Sequence, residues 1–437
     1  MTRDAGDERL DAVLRGLAAQ DHPNHRVLVV DAGGERDPGP HVRRLLPDAR
    51  VLRLRGRPGF GAAANHVLDV ARGARFLVFC HDDVVPEPRT ISTLVDVARE
   101  WDAGIVGPKL VTWDDPSRLL QVGMAVDKVG TTMPFVERGE LDQAQHDGLR
   151  QVFMVPGAFT LVRADLFESV GGFDEAITFF DDDLSLCWRA HVTGARVLVT
   201  SAARVRHAEA LSATISTRDR QCLVARHRLR ALLTCTGPAR LLLVLPQALA
   251  LTAGEALGAL ATGRAGRARD ALGAWVWNVR RLRSLLVARR HMKAVRRVPD
   301  RTIRRYQVHG IVAPRLQLRR LGGDARAAAT RPVVTGPVPD DPARWTPGTA
   351  LACVAVAAVL AFGSRHLITR FVPAVGEMVP FGADPGRLLS EWASGWRHAG
   401  LGSDTAAPTL AGVVGALGSL LRDQVGALRM LLTLGML

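Results

Sequence analysis

The stretch Phe79-Cys80-His81-Asp82-Asp83-Val84-Val85-Pro86 sets an imidazole and two carboxylates directly after an apolar run, Phe76 to Cys80. A carboxylate pair at the carboxyl end of a strand is poor core material, and in open α/β sheets that end is where ligands collect. An Asp-rich turn there suits a hard divalent cation bridging to phosphate oxygens. It equally suits a solvated turn that caps the helix beginning near Arg89. A second acidic concentration, Phe179-Phe180-Asp181-Asp182-Asp183-Leu184-Ser185-Leu186-Cys187-Trp188-Arg189-Ala190, opens what reads as a helix with Leu184, Cys187 and Trp188 on one face. Carboxylates at a helix N-terminus gain only ~0.3–1 kcal/mol from the macrodipole. That accounts for one or two of the aspartates, not readily for three beneath two aromatics. His207 follows a strand at residues 196–200. A lone histidine is ordinarily structural, whereas one within reach of an Asp turn is a candidate ligand.

The elements around these groups alternate β-rich and helical runs over the first 210 residues, which predicts an α/β domain with a mostly parallel sheet. Residues 10–19 read as a helix and 26–30 as a buried strand ending at Asp31-Ala32-Gly33-Gly34. A strand at 50–54 leads into Pro58-Gly59-Phe60-Gly61-Ala62-Ala63-Ala64-Asn65 and a helix to about residue 72. After the strand Phe76 to Cys80 come a helix at 90–101, a strand at 104–106 and an irregular region at 108–149. Residues 152–155 lead into Pro156-Gly157, and Gly171-Gly172-Phe173-Asp174-Glu175 precede the aspartate triplet. Each early strand ends in a polar or glycine-rich turn, giving the close backbone approach and free N–H groups a nucleotide site needs. The glycine turn lacks the GxGxxG and GxxxxGK[ST] spacings, which makes dinucleotide and P-loop readings weak, and on its own it reads as readily as a plain strand-to-helix turn as it does as a ligand-contacting one.

The chain of 437 residues is 47% hydrophobic and 23% charged, with a formal charge of +14. A soluble part joined to a membrane-associated part reconciles those figures. The charge admits nucleic acid or an anionic membrane surface. Its densest cluster lies beyond residue 260, beside apolar segments and without the interleaved aromatics of a base-stacking platform, so a membrane is expected and nucleic acid is not. Five scattered cysteines give neither a disulfide framework nor a zinc spacing, which points to a reducing, cytosolic face. Residues 1–10 are polar and carry no secretory h-region. Residues 218–235 read as a basic helix, and 241–260 as an apolar segment broken by Pro246 and Glu255, suited to an interfacial or re-entrant position. Residues 264–320 are strongly basic, with Trp275 and Trp277 near their start. A linker at 331–347 precedes 349–362, which with its flanks is long enough to cross a membrane, and the positive-inside rule then keeps the α/β domain cytosolic. The chain stops inside a further apolar stretch, as expected for a piece of a larger membrane protein.

Taken together, the order and spacing of these motifs resemble the family 2 glycosyltransferases, inverting enzymes of the GT-A (Rossmann-like) fold. The likeness is strongest to large actinobacterial members that continue into a polytopic membrane region. It implies a GT-A domain over residues 1–215, a basic membrane-interface helical region over 216–330, the linker 331–347, and the start of a transmembrane region over 348–437. By the same resemblance Asp31, Gly59, Gly61, Asn65 and Asp82 bind the nucleotide-sugar. Asp83 falls on the third position of the Asp-x-Asp motif and, with His207 and His81, holds a divalent metal, Mn²⁺ or Mg²⁺. Asp183 is the expected catalytic base with Asp182 before it, and Gly157, Asp174, Glu175, Trp188 and Arg189 fall on the acceptor side. At three places the chain departs from the family pattern. His81 stands for the motif's first aspartate, Ser185 for an aspartate two residues after the base, and the apolar strand that usually opens the fold is missing from residues 1–8.

The resemblance implies sugar transfer from a nucleoside-diphosphate donor to a hydroxyl of a lipid-linked or cell-envelope glycan acceptor at the cytoplasmic face of the cell membrane. The alternative is a non-catalytic scaffold of the same fold in a polysaccharide-assembly complex, to which the three departures point.

Overall fold

Residues 2, 8–34, 36–56, 58–210, 214–308, 384–394 and 415–419 are described in a computed structural model. The expected linker at 331–347 and spanning segment at 349–362 lie outside them. The chain divides into two units, Met1–Ala256 with Ala265–Gly336, and Leu257–Arg264 with Pro337–Leu437.

In the first unit, apolar runs of four or five residues become strands, and segments with 3.6-residue periodicity become helices. Helix α1 (Glu8–Ala18) buries Leu10, Val13 and Leu14 on one stripe. Strand β1 (Leu28–Asp31) follows, then α2 (Gly39–Leu45) and β2 (Arg50–Arg53). β1 and β2 pair in parallel, with Asp31 opposite Arg53. On the other edge of β1, Thr2 donates its N–H to the Val30 carbonyl and accepts from Ala32, both at 3.0 Å. The helix expected to run on to residue 72 is two short pieces, α3 (Phe60–Asn65) and α4 (Val67–Val70).

Strands β3 (Phe76–Cys80) and β4 (Val84–Pro86) flank the acidic turn, and α5 (Thr90–Glu100) follows. β5 (Ala103–Thr112) is far longer than the expected 104–106 and is buried along nearly its whole length. Its Pro108 sits opposite Thr200, where the register with the neighbouring strand breaks, the kind of irregularity a proline inside a sheet requires. The supposedly irregular region holds β6 (Leu119–Gln121), β7 (Met124–Val126), β8 (Thr132–Pro134) and β9 (Leu149–Gln151). Strand β10 (Phe159–Arg163), unforeseen from the sequence, leads to α6 (Ala164–Ser169), α7 (Asp182–Val192) and β11 (Arg196–His207).

The central sheet runs β3-β10-β5-β11-β4, with β6 on β5 and β9 on β11. Within it only β5 and β11 pair in parallel; β10 is antiparallel to both β3 and β5. The sheet is therefore mixed, not mostly parallel. The intrusion of β10 is the reason: it returns from the β9 side and threads between β3 and β5.

The described part of the basic region, up to residue 308, is mostly helical: α8 (Thr217–Cys235), α9 (Pro238–Ala261), α10 (Ala265–Arg280), α11 (Leu282–Val295) and α12 (Asp300–Ile303). α9 runs unbroken through Pro246, contrary to the expected interruption, and is long and apolar enough to cross a membrane. Leu229, Leu232, Cys235, Val244, Ala274, Met292 and Ile303 enter the same core as Phe79, Phe153, Phe167 and Trp188. In the second unit, α13 (Pro385–Ser394) is helical.

Candidate active site

The acidic turn is held from below by the sheet. The His81 N–H donates to the Ala158 carbonyl at 2.9 Å, continuing the β3–β10 pairing one residue past the strand. His207, the last residue of β11, reaches the same spot because β11 pairs with β4, the strand just after the turn. His207 Nε2 lies 3.3 Å and His81 Nδ1 3.9 Å from Asp83 Oδ1. The donor atoms of the three residues all fall within 4.8 Å of one another. Asp83 Oδ2 accepts from the Ala210 amide at 2.8 Å, while Oδ1 is buried and lacks a hydrogen-bond partner. Burial would raise the Asp83 carboxyl, but His207, His81 and the Ala210 amide outweigh it and hold it at about 2. Burial pushes the His81 imidazole down to about 3, with His207 adding to the effect, which leaves its lone pair free at neutral pH. One carboxylate and two imidazoles around an unsatisfied buried oxygen fit a divalent cation. Asp82 stands beside them, its carboxyl raised mainly by burial.

Asp31 is 1% exposed. Its Oδ1 caps the following turn by accepting from Gly34 N–H at 2.8 Å, and its Oδ2 lies 3.2 Å from Arg53 Nε. Beside it opens a cleft of about 550 Å³ lined by Gly33, Gly34, Arg53, Leu54, Arg55 and Gly56. The sequence reading missed Arg53 and Arg55; only the parallel register sets Arg53 opposite Asp31.

The glycine turn is engaged with protein. A Cβ on Gly59 would lie 2.6 Å from Thr178 Cα, and one on Gly61 2.7 Å from Phe173 Cβ. The Asn65 side chain accepts from Phe173 N–H at 2.7 Å and donates to its carbonyl at 3.0 Å. These three residues, expected on the nucleotide, lock the loop 172–178 against α3. The Phe60 ring meets His81 edge-on at 5.1 Å, so the turn still borders the acidic cluster.

At the head of α7, Asp183 Oδ2 accepts from the Gly157 amide at 3.1 Å, and Oδ1 from Leu184 at 2.8 Å. A side chain on residue 157 would come 3.3 Å from Asp183 Cβ, so glycine permits this approach. Burial raises the carboxyls of both Asp182 and Asp183, and the mutual charge adds to the shift of Asp182. Asp181 is raised to about 8, by burial first and then by Asp183.

The acceptor-side set divides. Glu175 is exposed. Asp174 is committed to Arg230 of α8, whose Nε lies 2.7 Å from its Oδ2. Trp188 and Arg189 are 3% and 5% exposed. The indole packs edge-on to Phe153 at 5.5 Å, and the guanidinium donates to the Ser185 and Val170 carbonyls. Both are buried in the core beside the site, where the expectation had set them on the acceptor side. α7 is buried on every side from Leu184 to Val192, so both side chains are enclosed whichever way the helix turns them.

Residues 3–224 match the model of the glycosyltransferase-like family 2. Among curated relatives, the chain is 30% identical over 207 residues to the O-antigen biosynthesis protein RfbC of Myxococcus xanthus, covering 45% of this chain and 16% of that protein. It is 29% identical over 211 residues to the pre-mycofactocin glycosyltransferase of Mycobacterium tuberculosis, covering 46% and 40%. It is 27% identical over 224 residues to the N-acetylglucosaminyl-diphospho-decaprenol L-rhamnosyltransferase of the same organism, covering 46% and 73%. The match thus spans less than half the length of the first two. Among solved structures, TarS of S. aureus with UDP-GlcNAc superposes with a TM-score of 0.39 at 17% identity, covering 52% of this chain and 64% of that one. With just over half of its residues matched to one family model, the chain belongs to glycosyltransferase family 2.

Proposed function

We propose that this domain is an inverting glycosyltransferase that moves a sugar from a nucleoside-diphosphate donor to a hydroxyl of a lipid-linked or cell-envelope glycan acceptor, at the cytoplasmic face of the cell membrane. The observation that carries the reading is the dipeptide Gly157-Ala158. Its Ala158 carbonyl anchors the His81 amide and its Gly157 amide anchors Asp183, so the cation-type cluster and the base candidate flank one rigid backbone segment.

Asp31 and the adjoining cleft would take the base and ribose of the donor, with Asp82 at the sugar. His81, Asp83 and His207 would hold the divalent ion, which when bound supplies charge neutralisation for the departing diphosphate. Two imidazoles favour Mn²⁺ over Mg²⁺, which prefers oxygen shells. Asp183 would take the proton of the attacking hydroxyl. Its raised carboxyl suits that task, because a base with a pKa nearer the working pH accepts a proton more readily. A single displacement from the opposite face inverts the anomeric carbon.

Support for the acceptor class comes from the relatives, whose names specify O-antigen biosynthesis and a diphospho-decaprenol substrate. Support for the membrane comes from α9, which turns Leu242, Leu243 and Leu249 outward.

The test is a panel of UDP-, GDP- and dTDP-sugars with polyprenyl-diphosphate acceptors, scored by released nucleoside diphosphate, with the product's anomeric configuration read by proton NMR. Asp183→Asn is expected to lower turnover by roughly 10²–10⁴-fold while calorimetric donor binding persists. Full turnover in that variant would remove Asp183 from the role. Donor binding without turnover by the wild-type chain would favour the scaffold reading, which His81 and Ser185 motivate.

A further inference from the structure

Phe180 and Asp181, the two residues just before α7, both have positive φ, 63° and 60°. Non-glycine residues adopt that conformation only under strain, and keep it where surrounding structure over-determines it. Asp182 and Asp183 follow at once, so this left-handed pair sets the direction in which the head of α7, and Asp183 with it, leaves the loop.

The pair's own side chains do not account for its geometry. Asp181 makes no side-chain cap on α7, and its Oδ2 is buried without a hydrogen-bond partner. The hold comes from α8. His227 Nδ1 lies 3.1 Å from the Phe180 carbonyl oxygen. A carbonyl can only accept, so the imidazole donates and its proton sits on Nδ1. His227 is 1% exposed, and its ring meets Trp277 of α10 edge-on at 5.7 Å. Arg220, two helical turns earlier on α8, places its guanidinium 5.0 Å from the Phe180 ring. The Phe180 backbone and ring are therefore gripped from one helix face, and His227 lies beyond residue 224, where the family match ends.

We propose that His227 is a positioning residue for Asp183: its Nδ1–H bond to the Phe180 carbonyl holds the left-handed Phe180-Asp181 pair and thereby fixes the base's approach to the acceptor hydroxyl. The proposal rests on the assignment of Asp183 as the base. A histidine that merely filled space beneath Trp277 would need its volume and not its donor, and that difference is measurable.

Two variants of the full chain separate the cases. His227→Leu keeps volume and removes the donor; His227→Asn returns an N–H near the Nδ1 position. Each is assayed for kcat and donor KM, and for hydrogen–deuterium exchange of the peptide over residues 178–186. His227→Leu is expected to lower kcat by about 10- to 100-fold, the scale of a misplaced catalytic group. Donor KM is expected to hold within about twofold, since uniform binding is untouched. Exchange is expected to rise in 178–186 alone, and His227→Asn to recover most of both losses. Wild-type kcat and exchange in His227→Leu would overturn the proposal. So would equal losses in the two variants, or a rise in exchange spread across the whole domain. If the wild-type chain transfers no sugar from any donor, the functional reading falls, and exchange in 178–186 still decides whether His227 holds the segment.

Discussion

Asp83 faces two imidazoles with a buried oxygen that no donor satisfies. An ion that binds the folded chain and not the unfolded one stabilises it by about 2.7 kcal/mol at a hundred times its dissociation constant. Mn²⁺ is therefore expected to raise the melting temperature of the wild-type chain and to leave Asp83→Ala unmoved, with chelation reversing the shift in a thermal melt. Equal shifts in both proteins would remove Asp83 from the ligand set. Asp181 leads to a pH prediction. Its carboxyl, ordinarily near 4, stands at about 8 in the folded chain, so folding takes up a proton between those values. The contribution to stability is full below about pH 4 and is lost as pH rises through about 8. Asp181→Asn should flatten that decline in a denaturation series across the same range.

Between elements, the loop 172–178 is gripped from two sides: by Asn65 of α3 through the Phe173 backbone, and by Arg230 of α8 through Asp174. The Arg230 and Asp174 side chains are only 2% and 10% exposed. Removing one partner of such a pair strands a buried charge and costs about 3–5 kcal/mol. Arg230→Met is expected to destabilise the domain by that amount in urea unfolding. Arg15→Ala, which breaks an ion pair with Asp11 whose arginine is 70% exposed, should cost less than about 1 kcal/mol. Similar values for the two would show that the loop is held by packing alone. This division also explains why Asn65, Gly59 and Gly61 read from sequence as a ligand-contacting turn: the residue types that let backbone approach a phosphate also let it approach Thr178 and Phe173.

In the whole molecule, the first unit carries an outward apolar surface on its helices. Leu242, Leu243, Val279 and Val287 are 77%, 68%, 66% and 64% exposed, and exposed Arg267, Arg269, Arg280, Arg283, Arg290 and Lys293 accompany them. Apolar residues interspersed with arginines match a bilayer surface carrying anionic lipid. The full chain is expected to co-sediment with phosphatidylglycerol vesicles, and less so with neutral ones. Leu242→Asp combined with Leu243→Asp should weaken that partition about tenfold or more, since each charge replaces buried apolar area. Partition unchanged by lipid charge and by both substitutions would count against the membrane face. α9, at 24 residues, is about 36 Å long, enough to cross a hydrocarbon core of about 30 Å.

The sequence by itself determined the α/β character, the strand Phe76–Cys80, the helices at 90–100 and 182–192, and the placing of His81-Asp82-Asp83 directly after a strand. Those follow from local periodicity and from carboxylates placed where a core would reject them. The tertiary structure alone decided that β10 threads antiparallel between β3 and β5, and that Trp188 and Arg189 face the core. It also decided that Asp174 is paired by Arg230, and that His227 reaches back to Phe180. Each of these is a contact between residues from 47 to 87 positions apart, or the enclosure of α7 on every side. A local pattern cannot encode a partner that only chain return supplies. The same limit explains α9. Pro246 breaks an isolated helix by removing one hydrogen bond, yet Val244, Ala248 and Leu251 pack onto the core on either side of it and keep the helix whole.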